Sequence, residues 1–154
     1  MVLNRQKKVR LFTRPLAGFL QKIQRELKLE NVEVSIAFVS DVEIARWNEG
    51  YRHKKGPTDV LSFPAVVPGA GQNPMHAKRI RGKSAGIAET FLGDVAIAPE
   101  TARRYAKKNG RTLQSELRIL MLHGVLHLVG YDHESDNGQM NRIEQKLRRR
   151  LGIA

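Results

Sequence analysis

The sequence predicts an α+β domain: a small mixed β-sheet packed with about five helices around one central helix. Three observations carry this. Short apolar runs with strand alternation recur through the first two-thirds of the chain, clearest at Val32, Val34, Ile36 and Phe38. Segments with helical periodicity are interspersed with them, and helices dominate the end. One late segment, 113–129, is so dense in Leu, Ile, Met and Val that it reads as a helix buried on most sides.

The elements follow in order. Residues 5–14 place Arg5, Lys7, Lys8, Arg10 and Arg14 around Val9, Leu11 and Phe12, which suits an edge strand or a basic arm. Thr13 reads as an N-cap with Pro15 in the first turn, and Leu16, Phe19, Leu20, Ile23 and Leu27 make 15–29 an amphipathic helix. A strand follows at 32–38. Ser40-Asp41-Val42-Glu43 has the capping-box pattern, so a second helix is expected from about 41 to 50, with Ile44 and Trp47 facing inward. A basic turn, Arg52-His53-Lys54-Lys55-Gly56-Pro57, leads to a strand at 58–63 halted by Pro64. Residues 65–90 are rich in Gly and Pro, without sustained period. Lys78, Arg79, Arg81 and Lys83 make this stretch a candidate flap for an anionic ligand. A strand at 91–98 and a helix from Pro99 to about Asn109 come next, the helix closed by Gly110. Thr112 caps the central helix. Ser135 or Asp136 starts a last helix ending in Arg148-Arg149-Arg150.

At 154 residues the chain suits a single domain, 1–154, with a core of its own. Its charge is unusual: 27 Lys+Arg against 15 Asp+Glu leaves +12. That excess points to a polyanionic partner, nucleic acid or an anionic surface. With no cysteine, disulfides and thiolate ligands are excluded. The N-terminus lacks the apolar core of a secretory signal, and no apolar run reaches membrane-spanning length, so a cytoplasmic location is expected, with no membrane contact.

Three of the five histidines lie close together, in His123-Gly124-Val125-Leu126-His127-Leu128-Val129-Gly130-Tyr131-Asp132-His133. His123 and His127 are four apart, one turn apart on one helix face. Gly130 can end the helix in a left-handed conformation and turn the chain so that His133 approaches the other two. Three imidazoles with an open fourth position are the donor set of a catalytic zinc site. The offsets match the metzincin signature, except that its glutamate after the first histidine is Gly124 here.

The histidine stretch resembles the signature of the YbeY family, bacterial metal-dependent endoribonucleases of rRNA maturation. Two further blocks carry the resemblance, in the family's order: Tyr51-Arg52 with Pro57-Thr58-Asp59-Val60-Leu61-Ser62-Phe63-Pro64, and Leu92-Gly93-Asp94-Val95-Ala96-Ile97. The chain departs from the pattern in its long basic stretch 65–90 and its basic C-terminal helix. The resemblance implies a zincin-like α+β domain binding one Zn2+ per chain through His123, His127 and His133. It implies cleavage of single-stranded RNA, maturation of the small-subunit rRNA 3′ end and ribosome quality control, with rRNA and the small ribosomal subunit as partners and no obligate protein partner inferred. It also implies an important arginine at Arg52.

On this reading, zinc activates a water and Arg52, expected on the Gly/Pro turn, stabilises charge on a phosphodiester. Lys54, Lys55 and the flap cations Lys78, Arg79, Arg81 and Lys83 hold the backbone. Asp59, Asp94, Glu116 and Asp132 are the carboxylates available for orienting ligands or moving protons, with Glu116 expected to bind a basic side chain. Two other classes compete: a zinc metallopeptidase-like hydrolase, and a non-catalytic rRNA- or ribosome-binding factor with a structural metal. The glutamate that activates water in zinc peptidases is absent, and the +12 charge has no role in peptide cleavage.

Overall fold

Period-2 strands put their apolar residues on both faces of the sheet, and each face is covered. The computed structural model describes residues 1–65, 91–132 and 136–153. These contain β1 (Val2–Asn4), α1 (Thr13–Glu26), β2 (Glu33–Phe38), α2 (Asp41–Arg52), β3 (Val60–Pro64), β4 (Phe91–Ile97), α3 (Pro99–Lys108), α4 (Leu113–Leu128) and α5 (Gln139–Leu151). The strands lie in the order β1-β2-β4-β3, with the first three parallel and β3 antiparallel to β4. This is the α+β fold with a mixed sheet that the patterning predicts.

Val34, Ile36 and Phe38 of β2, with Val95 and Ile97 of β4, pack against α1, α4 and α5 in the larger core. Their neighbours Ala37 and Ala96 point the other way, to a smaller core with Leu61, Phe63 and Ile44, which α2 covers. Trp47 sits there, edge-on to Phe63 at 6.0 Å, as the expected core aromatic.

Several boundaries differ from the expectation. Strand β1 lies at the extreme N-terminus rather than within 5–14, held where the Met1 ammonium donates to the Val34 carbonyl at 2.8 Å. The basic arm after it is pinned by Arg5 to Glu43 at 2.7 Å. Phe12 is the N-cap residue of α1, and Thr13 already belongs to the helix. Ser40 Oγ accepts from the Glu43 amide at 3.1 Å, and Thr112 Oγ1 accepts from the Ser115 amide at 3.1 Å, as their cap patterns predict. The last helix begins later than Asp136. Its N-cap residue is Gly138, and the Asp136 carboxylate accepts from the amides of Gly138 and Met140, each at 2.8 Å.

Helix α4 is the central one, packed against β3, β4, α1, α3 and α5. Gly124 lets it lie on the sheet. A Cβ built there would stand 2.5 Å from Val95 Cγ1, so any side chain would push the helix off β4. Ser62 Oγ of β3 donates to the Gly124 carbonyl at 3.0 Å, a second tie at the same point.

Candidate metal centre and cleft

The close approach at Gly124 sets against the sheet the helix that carries the site's two described histidines. His123 and His127 lie on the same face of α4, and their Nε2 atoms stand 3.1 Å apart. Two nitrogens each about 2.0–2.1 Å from a tetrahedral zinc would be about 3.3–3.4 Å apart, so the pair is spaced as a ligand edge. The Nδ1 atom of His123 is 2.8 Å from Glu144 Oε1 of α5. The donor set is therefore chemically suited to zinc at the two positions described. His133 lies outside the described residues, as do Lys78, Arg79, Arg81 and Lys83 of the basic flap.

The end of α4 behaves as Gly130 predicts. Tyr131 N–H donates to the Leu126 carbonyl and Gly130 N–H to the His127 carbonyl, both at 3.1 Å. With Gly130 at φ +106°, this is a Schellman termination. It halts the helix one residue beyond His127, at Leu128. Chain direction changes there, and the amide of Asp136 returns to the Asp132 carbonyl at 3.1 Å.

Both histidines open onto a cleft of about 500 Å³ whose walls include Tyr51, Arg52, Thr58, Asp59, Tyr131 and Asp132. Arg52 is the last residue of α2, not part of the following turn as expected, and it is exposed. The helix runs two residues further than the sequence suggested because Glu49 and Asn48 carbonyls still find donors, the amides of His53 and Lys54. The left-handed His53 (φ 57°) then ends it. Lys54 and Lys55 are exposed in the loop that follows, and Asn48 Nδ2 pins that loop through the Gly56 carbonyl at 3.0 Å.

The four candidate carboxylates separate. Asp59 and Asp132 line the cleft. Asp94 is fully buried in β4, away from the cleft walls. Glu116, at the start of α4, takes Arg111 at 3.2 Å, the basic partner foreseen for it. Glu144 was not among the candidates. Its signal was an acidic residue in the apolar stripe of a helix, with Met140 and Leu147, and the stripe identifies a buried position without identifying its partner.

Burial pushes the Asp59 carboxyl above its ordinary value of 3.8, against the opposing pull of the Asp59 and Val60 amides and the charge of His123. The folded state therefore holds this proton more tightly than the unfolded chain does. Stability from it is complete below pH 3.8 and is lost as pH rises through the raised value. Asp59→Asn is expected to raise the melting temperature of the chelator-treated protein at pH 7, with the gain vanishing below about pH 3.8. A gain independent of pH would show that ionisation of Asp59 is not its source.

Fold and site together define a class: α+β proteins whose sheet supports a histidine-bearing helix at the floor of a polar cleft. The family described as Endoribonuclease YbeY matches residues 1–152. Endoribonuclease YbeY of Koribacter versatilis is 35% identical over 99% of this chain and 86% of its own length. That of Solibacter usitatus is 37% identical over 88% and 76%, and that of Bartonella quintana 38% over 87% and 78%. The solution structure of TM1509 from Thermotoga maritima superposes with a TM-score of 0.60 at 25% identity, covering 98% of this chain and 89% of that one. The chain belongs to the endoribonuclease YbeY family.

Proposed function

We propose that the chain is a zinc-dependent endoribonuclease cutting single-stranded RNA, with one zinc held by His123, His127 and His133. The observation that carries this is the pair of Nε2 atoms 3.1 Å apart on the floor of the cleft. Family membership supplies the substrate class, since the relatives carry the name endoribonuclease. Processing at the 3′ end of small-subunit rRNA, a role in ribosome quality control and a cytoplasmic location belong to the same proposal. Among the described residues no helix is long and apolar enough to cross a membrane.

When bound, the ion supplies Lewis acidity toward water and a phosphoryl oxygen. The chain does the rest. Lys54 and Lys55 hold backbone phosphates through long-range attraction. Arg52 reaches into the cleft from the end of α2 and offers a fork of N–H donors to the non-bridging oxygens, where charge accumulates in the transition state. Gly124 bears on the rival peptidase: the position of its glutamate faces Val95 of the sheet, so no carboxylate can act from there.

The test is cleavage of a single-stranded RNA by purified protein, with zinc restored after chelation. Loss of cleavage on chelation and its return with zinc is the expected result. Inertness of the zinc-loaded protein toward RNA would overturn the reading. Arg52→Ala is expected to lower kcat by about 10²–10³, the usual cost of one transition-state donor. KM should change little, and an unaltered kcat would remove Arg52 from the reaction.

A further inference from the structure

We infer that Glu144 is a positioning residue: by accepting the Nδ1 proton of His123 it fixes the tautomer that turns a bare Nε2 toward the metal. The inference rests on His123 and His127 as ligands, and otherwise on the geometry of α5. Glu144 lies on the inner stripe of that helix with Met140 and Leu147, and it is 8% exposed. A carboxylate taken out of water costs several kcal/mol unless it is bonded. Here its Oε1 is 2.8 Å from His123 Nδ1.

A neutral imidazole carries one N–H. With that proton on Nδ1 and shared with Glu144, Nε2 is the unprotonated nitrogen, and it is this one that faces His127 Nε2 at 3.1 Å. The same conclusion holds whether a cation or a proton of His127 lies between the two. A carboxylate behind a ligating imidazole also raises its basicity and holds its ring plane. Helix α5 cannot easily slide to release this contact. Asp136 accepts from the amides of Gly138 and Met140, and its own amide is tied to the Asp132 carbonyl beyond α4. The C-terminal helix thus serves the site from behind.

The test compares wild type, Glu144→Gln and Glu144→Ala. Zinc affinity is read by competition with a chromogenic chelator, and histidine tautomers by 15N–1H NMR of the metal-free protein. Wild-type His123 should be protonated at Nδ1. Gln can still accept that proton, so its zinc affinity should stay within a few-fold. Ala should bind zinc about 10–100-fold more weakly, the usual cost of losing such a partner, and should lose the tautomer preference. A folded Glu144→Ala protein with wild-type zinc affinity, or wild-type His123 protonated at Nε2, would overturn the inference. If Glu144→Ala does not fold, the wild-type tautomer and the Gln variant decide. RNA cleavage is scored separately: a wild type that shows the Nδ1 tautomer and binds zinc, but leaves RNA intact, sinks the nuclease reading and leaves this one standing.

Discussion

His127→Ala is expected to abolish both zinc retention and RNA cleavage while leaving the fold intact. His127 contributes one of the two Nε2 atoms that stand 3.1 Å apart, and its Cα is anchored in the central helix. Truncation removes one of the two ligand nitrogens that α4 carries, and the other, on His123, stands a full turn away. The loss in zinc affinity should exceed the roughly 10–100-fold that follows loss of an orienting partner. Stability should change little without metal. The side chain is only partly buried, so its removal is expected to cost the metal-free protein no more than about 1 kcal/mol. A ligand that binds only the folded state at a thousand times its Kd stabilises by about 4 kcal/mol. Zinc should therefore raise the wild-type melting temperature clearly and that of His127→Ala hardly at all. Metal content, melting with and without zinc, and cleavage of one RNA check the prediction together. Unchanged cleavage by the variant would remove the metal from the mechanism.

The second large effect is structural. Gly124→Ala adds one methyl at a place where the Cβ would stand 2.5 Å from Val95 Cγ1 and 3.0 Å from Cγ2. Val95 is fully buried in β4, a middle strand of the sheet, so it has no empty side to turn to. Helix α4 must shift instead, and with it the Ser62 bond to the Gly124 carbonyl and the histidines His123 and His127. Overpacking of this kind costs about 1–3 kcal/mol, or about 2–4 °C of melting temperature per kcal/mol in a chain of this size. Val95→Ala alone leaves a cavity and is also destabilising. Combined, the two changes should be less harmful than their sum, since the two methyls removed from one side make room for the methyl added on the other. Strict additivity in a double-mutant cycle would show that the two residues do not press on one another.

Much of this was legible in the chain itself. The helices and strands announced themselves through period and caps, because a buried stripe needs apolar residues at 3.6 or 2 residue spacing wherever the element sits. Thr112, Ser40 and Gly130 marked ends that their side chain or missing side chain enforces locally. Strand β1 escaped notice because three residues carry no period; its identity comes from pairing with Ile36, Ala37 and Phe38 of β2. The end of α2 lies two residues beyond the expected one, at Arg52, because helix continuation depends on where the last carbonyls find donors, not on the Gly and Pro that follow.

By itself, the sequence determined the α+β class, the central helix, the histidine pair on one face of it and the cationic character of the chain. Those properties follow from spacing and charge, which are read along the chain. Only the tertiary structure decided that Gly124 faces Val95 and that Glu144 backs His123. Both depend on contacts between residues far apart in sequence, brought together when the two faces of the sheet were covered. The glutamate missing after His123 is thus a packing requirement of the helix on its sheet, and the carboxylate that serves the site comes from α5.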